Sequence, residues 1–398
     1  MKKTFTLLLL VFLFTSIFAQ FVNFNKGKII QKSYLQEIPY QAVEGLPVVQ
    51  VTINGKMYNF IFDTGGGLMI SDKLYKELNL PIRGKGKVGD SSGENKKMRF
   101  IKLPKMHLQE ITFVNTPGIV FPEESEFVKW CECYGIEGLM GSNMVRKSVV
   151  QFDEKNKHFI IADNIKKLSV KTEVYQKLTL SKTQSHPFIS VTSQKGEQRA
   201  VKKVLFDSGA SNFCNISARW LKYYVADKIA EGEGTFSMGA HGVEKKQKHF
   251  LLNIPELIIN DVSFSDITAM TTHSNYSRIG AKLFQYGKIT LDYKKKHFYF
   301  EPFDNINTDE LSKMPRAVSF SYQNNKLVVG IIWDKELESQ INVGDEILSI
   351  NGIDIQSMNF CEFLFFLIPD SDKQILEFRD TKTGEIKKIE NKRMLLIE

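Results

Sequence analysis

Asp63 ends an apolar run, Phe60-Ile61-Phe62, and is followed by Thr64, Gly65 and Gly66. The arrangement returns 144 positions later, where Val204-Leu205-Phe206 delivers Asp207, Ser208 and Gly209. One such tripeptide suits any strand running into a turn, because Asp bonds to nearby backbone and glycine relieves the bend. Two copies in matching surroundings point to a shared site. Carboxylates held about 3 Å apart cannot both ionise, so they share a proton and titrate as a pair. The ionised member can take a proton from a bound water while the protonated member polarises a carbonyl. That chemistry needs no covalent intermediate, metal or cofactor. Thr64 and Ser208 would supply hydroxyls that bond across the junction of two equivalent units. Gly65 and Gly209 would let backbone amides approach the carboxylates.

The elements that must present these residues are strands. Residues 47–53 and 57–62 flank Asn54-Gly55, a strong short hairpin signal, and the second strand delivers Asp63. A short helix is expected after Ser71, capped by Ser71 or Asp72, with Leu74, Leu78 and Leu80 on one side. Residues 84–97 read as a glycine-rich hairpin whose polar tip, Gly89, Asp90, Ser91, Ser92 and Gly93, could close over a cleft as a flap. Two motifs in this stretch are matches in letters only. Gly84-Lys-Gly86-Lys-Val-Gly89 lacks the flanking strand and helix of a dinucleotide site. Gly89-Asp90-Ser91-Ser92-Gly93 lacks a His and an Asp in the context a nucleophilic serine needs, His107 falling in an ordinary alternating strand. Strands are expected at 100–101, 106–108, 111–114, 149–153 and 158–161.

The second unit replays this order. Strands at 188–191 and 201–206 lead to Asp207, and 212–216 leads into Ser217. A glycine-rich hairpin at 237–242 matches Gly89. Gly141 stands 12 residues before Asp153, and Gly280 stands 12 before Asp292. Both units end on a Lys-rich turn and a His-Phe strand, His158-Phe159 and His297-Phe298. This is a duplicated β domain rather than a solenoid, whose repeats run about 20 to 50 residues. A third unit follows a linker at 304–315, with strands at 318–320, 327–332, 375–378 and 386–389, a turn, a strand and a second turn over 343–352, and a helix at about 358–367.

The chain has 398 residues, 42% hydrophobic and 25% charged, which suits two or three globular domains. Lys2-Lys3, an apolar run over 5–18 and Ala19 predict a cleaved export signal over 1–19, too short to span a bilayer. No later stretch is long and apolar enough to cross a membrane, so the mature chain is expected in the periplasm or outside the cell. The net charge of +8 is scattered, without the basic stripe of a nucleic-acid surface. Cys131 and Cys133 lack the second pair that a zinc site needs and read as buried thiols or a local disulfide. Cys214 reads as core. Spacing alone does not pair the four cysteines.

Phe62-Asp63-Thr64-Gly65, Phe206-Asp207-Ser208-Gly209-Ala210-Ser211, and the downstream Leu139-Met140-Gly141 and Ile279-Gly280 resemble the pepsin/retropepsin-type aspartic proteases. Bacterial exported members with both lobes in one chain are the nearer resemblance. Residues 343–352, Val-Gly-Asp-Glu-Ile-Leu-Ser-Ile-Asn-Gly, resemble a PDZ domain. The resemblance implies a mainly β, bilobal acid-protease fold from two β-barrel-like lobes, 20–165 and 166–303, followed by a small α+β PDZ-like domain over 316–398. It implies an aspartic endopeptidase with Asp63 and Asp207 catalytic, a polypeptide substrate in the inter-lobe cleft, and a peptide or protein partner at the PDZ-like domain. The alternative is an inactive protease-fold protein that tethers a partner. Three departures stand out: Gly66-Gly67 after the first motif, no Tyr in the flap, and Gln323-Asn324-Asn325-Lys326 where peptide-binding PDZ domains carry a carboxylate loop.

Overall fold

The computed structural model describes residues 23–366, 371 and 373–395; the expected leader, residues 1–19, lies outside the described residues. The described chain is mainly β. In the first lobe, Leu46–Ile53 and Lys56–Asp63 form the expected hairpin, and Asn54 and Gly55 at its turn both take positive φ. The strands Met69–Ile70, Ile136–Gly141, Lys56–Asp63, Leu46–Ile53, Asn95–Leu108 and Ile111–Val120 pair in that order, and the last returns to the first, closing a six-strand barrel.

The second lobe repeats the ring with Cys214–Ser217, Arg278–Gly280, Gln198–Asp207, Pro187–Lys195, Gln247–Ile259 and Val262–Thr272. Parallel pairing sets Asp63 opposite Gly141 in one lobe and Asp207 opposite Gly280 in the other. Residues 100–108 form one strand and not two; the Asn95–Leu108 ladder simply skips Pro104, which has no N–H to give. Ser71 caps the helix Asp72–Glu77 by accepting from the Leu74 amide.

A separate six-stranded sheet joins the lobes. Its central pair, Val149–Asp153 and Gly287–Asp292, comes one strand from each repeat, and buried Gln151 bonds Thr290 between them. Above this seam the phenylalanine preceding each aspartate enters one aromatic cluster. Phe62 stacks on Phe159 at 4.7 Å, Phe152 on Phe284 at 4.5 Å, and Phe206 meets Phe298 edge-on at 5.7 Å. Phe62 and Phe206 are wholly buried, so the backbone that carries each carboxylate is anchored in a core common to both lobes.

The C-terminal unit is a sheet of Val318–Gln323, Lys326–Ile332, Glu346–Ile350, Lys373–Arg379 and Ile386–Lys392, with a helix at Phe360–Phe365. That helix opens on a capping box between Asn359 and Glu362 and is shorter than 358–367; Leu367 lies outside the described residues. The unit packs on the second lobe. The Thr235 amide donates to Gly330 O at 3.0 Å, and a Cβ on Gly234 would fall 1.9 Å from that same oxygen. It is also tied to the first lobe. Cys133, at the end of the helix Glu126–Cys133, forms a disulfide with Cys361 and not with Cys131. Residues two apart on a helix point different ways, so Cys131 faces inward as a buried thiol while Cys133 reaches the neighbouring helix. Cys214 is a buried free thiol.

Candidate active site

Each aspartate ends its strand at the junction of the barrels, where each carboxyl lies against the glycine that follows the other aspartate. The residues that follow them interlock. Thr64 Oγ1 donates to Phe206 O at 2.7 Å and accepts from the Ser208 amide at 2.9 Å. Ser208 Oγ returns the pattern, donating to Phe62 O at 2.6 Å and accepting from the Thr64 amide at 2.9 Å. Both side chains are fully buried, so each hydroxyl satisfies two backbone groups that have no water to turn to.

The glycines make room across the seam. A Cβ on Gly65 would lie 2.4 Å from Asp207 Cγ, and one on Gly209 would lie 2.5 Å from Asp63 Cγ. Neither glycine adopts positive φ; space, and not backbone freedom, excludes a side chain. The Gly209 amide also donates to Asp207 Oδ1 at 3.0 Å. Gly66 has its own reason, because a Cβ there would sit 2.4 Å from Asp63 Oδ2. Gly66 therefore packs against the carboxyl, whereas a Cβ on Gly67 would meet Gln184 Nε2 at 2.7 Å.

Burial and the neighbouring Asp207 charge hold the Asp63 carboxyl well above the usual range. Asp63 Oδ1 is buried without a partner among the described residues. Next to Asp207 stand two groups that the motif does not contain. Arg278 Nη1 lies 3.4 Å from Asp207 Oδ2. His186 feels the Asp207 charge, but burial dominates and pushes the imidazole down to about 4, so it is neutral near pH 7. Sequence reasoning missed both. Superposing the repeats on Gly141 and Gly280 would have flagged Arg278, whose counterpart is Leu139.

The hairpin of Gly84–Gly89 and Asn95–Leu108 carries Asp90, Ser91, Ser92 and Gly93 at its tip, and the tip touches the second lobe. Asp90 Oδ2 accepts from the His241 amide at 2.7 Å, and Thr272 Oγ1 donates to Ser91 O at 3.2 Å. His241 Nε2 pairs with Val88 O at 2.7 Å, and Lys96 Nζ donates to His241 O at 2.8 Å. Gly93, at φ 84°, packs against His273 O. Ser92 Oγ donates to Asp90 Oδ1 within the turn at 2.6 Å. The partner segment is the corresponding hairpin of the second lobe, between Asp227–Gly234 and Gln247–Ile259. Its tip is braced by buried Glu244, which accepts from the Phe236 and Ser237 amides and pairs with His249 at 3.0 Å.

Among the described residues, no three His, Cys, Asp or Glu side chains are grouped to hold a metal ion. No curated protein matches the chain. Among solved structures, conglutin gamma, a basic 7S globulin from lupine seeds, is similar at 13% identity, over 69% of this chain and 96% of that one, with a TM-score of 0.41. Over residues 49–144, the segment that runs from the opening strand of the first lobe through Asp63 to Gly141, the chain matches the aspartyl protease family.

Proposed function

We propose that the protein is an aspartic endopeptidase. The observation that carries this reading is the facing pair Asp63 and Asp207, each against the glycine that follows the other and both locked by the Thr64–Ser208 exchange. A water held between the carboxyls loses its proton to the ionised member as its oxygen attacks the peptide carbonyl. The protonated member donates to the carbonyl oxygen, giving a neutral gem-diol. Proton transfer to the amide nitrogen then breaks the C–N bond and leaves a carboxylic acid and an amine. The opposed hairpin tips would have to part to admit an extended polypeptide and close again to exclude water.

Residues 316–398 are read as a PDZ-like domain that docks substrate or partner, and residues 1–19 as an export signal. A disulfide between Cys133 and Cys361 favours an oxidising compartment, periplasmic or extracellular. Among the described residues no helix is long and apolar enough to cross a membrane.

The test is digestion of an unstructured protein by purified residues 20–398 over about pH 3 to 8, beside Asp63→Asn and Asp207→Asn. Cleavage abolished by either substitution, in variants that keep their circular dichroism, supports the reading. Cleavage that survives both would sink it. The absence of cleavage by the parent protein at every pH would favour an inactive protein that tethers a partner.

A further inference from the structure

In the paired strands that carry the two aspartates, one matched position differs in charge between the lobes. In the first lobe Leu139 pairs with Ile61, two positions before Asp63; in the second Arg278 pairs with Leu205, two before Asp207. An apolar side chain flanks one aspartate where a guanidinium flanks the other. We propose that Arg278 is a positioning residue that decides how the dyad shares its proton, making Asp207 the ionised base and Asp63 the acid. The proposal rests on the endopeptidase reading and deepens it.

The geometry suits the role. Arg278 is 7% exposed, and its Nη2 donates to Ser274 Oγ at 2.7 Å, which steers Nη1 toward Asp207. Ser274 is itself buried, and its carbonyl accepts from Ser217 Oγ at 2.7 Å, so the anchor belongs to the second lobe's own frame. At 3.4 Å from Oδ2 the cation acts through its field without occupying that oxygen as a short hydrogen bond would, leaving it for a water. Arg278 Nε is buried without a partner, as expected of a group placed for its charge and not for a full set of bonds. Asp207 Oδ1 takes the Gly209 amide. Asp63 has a buried Oδ1 with nothing bonded to it among the described residues, the setting of a carboxyl that keeps its proton.

Among the described residues the other ionisable groups that feel the pair are His186, by the Asp207 charge, and Tyr293, by the Asp63 charge. Tyr293 is neutral through the working range because burial raises it, while its hydroxyl exchanges a bond with Ser142. His186 is the competing candidate for an acid limb and must be tested separately.

The experiment compares wild type, Arg278→Leu, Arg278→Lys and His186→Gln. Arg278→Leu reproduces the side chain that the first lobe already accommodates, and Arg278→Lys keeps the charge should the leucine variant fold poorly. Carbon-detected NMR of aspartate-labelled protein follows the dyad carboxyls with or without turnover, and kcat/KM against pH is recorded on the same samples. In Arg278→Leu the lower dyad titration and the acid limb should both move up by about 1 to 3 pH units, more than the alkaline limb, and Arg278→Lys should restore most of the shift. His186→Gln should leave the acid limb in place. An acid limb and lower titration unmoved in Arg278→Leu, or a limb that follows His186 instead, overturns the proposal. If wild type cleaves nothing, the peptidase reading fails while the carboxyl titrations still decide the role of Arg278.

Discussion

Replacing Thr64 by valine keeps the side chain's shape and removes one oxygen. That oxygen serves two backbone groups of the opposite lobe, Phe206 O and the Ser208 amide, at 2.7 and 2.9 Å. Both lie in a region closed to water, because Thr64 and Ser208 are each fully buried. A buried polar group left without a partner costs about 1 to 3 kcal/mol, so Thr64→Val should destabilise by about 2 to 6 kcal/mol. Domains are stable by about 5 to 15 kcal/mol, so the loss is large but survivable. Thr64→Ser keeps the hydroxyl and gives up one methyl, worth about 1 kcal/mol. The assay is urea unfolding of all three proteins, read in parallel by tryptophan fluorescence and far-ultraviolet circular dichroism to check that the lobes unfold together. A Thr64→Val protein within about 0.5 kcal/mol of wild type would refute the argument, since effects that small are ordinary for surface changes. So would a Thr64→Ser protein as damaged as Thr64→Val.

Three further expectations concern the same frame. Gly209→Ala places a methyl 2.5 Å from Asp63 Cγ, so the carboxyl must move; peptide hydrolysis should fall about 100-fold with the fold intact, and retention of rate would show the seam to be looser. Burial and the neighbouring Asp207 charge raise the folded-state titration of Asp63, so it binds its proton more tightly folded than unfolded. Wild type therefore loses stability as pH rises from about 4, where an unfolded aspartate titrates, through the folded titration. Asp63→Asn removes that loss, so its Tm advantage should grow toward neutral pH; an advantage independent of pH would count against it. Cys361→Ser should lower stability by up to about 5 kcal/mol and expose the C-terminal unit to limited proteolysis, unless the Thr235–Gly330 contact holds it without the disulfide.

How much of this could be read in the sequence depends on the range of the physics involved. The duplicated Asp63 and Asp207 stretches were legible because the site needs a carboxylate, a hydroxyl and a glycine in consecutive positions on each strand. The Asn54-Gly55 turn and the Ser71 cap are equally local signals. The reason for Gly65 and Gly209 was not local: each makes room for an atom of the other lobe, which no single repeat displays. Arg278 reads as an ordinary polar strand residue until Leu139 is set beside it. The Cys133–Cys361 bond joins residues 228 apart, and nothing in their flanking residues selects that partner over Cys131. The seat of the C-terminal unit depends on the close approach of Gly234 and Gly330, which neither segment displays by itself.

The disulfide also changes what the chain is topologically. By joining Cys133 to Cys361 it makes residues 133 to 361 a covalent ring that contains the entire second lobe and Asp207, while Asp63 sits on the tail outside it. A single backbone cut anywhere in that ring opens it without separating anything, so both aspartates stay on one molecule. Nicked protein would migrate as one species until reduced and then fall into two, with half of the dyad on each when the cut lies between Cys133 and Asp207. The ring would let a molecule nicked within it keep its two halves together.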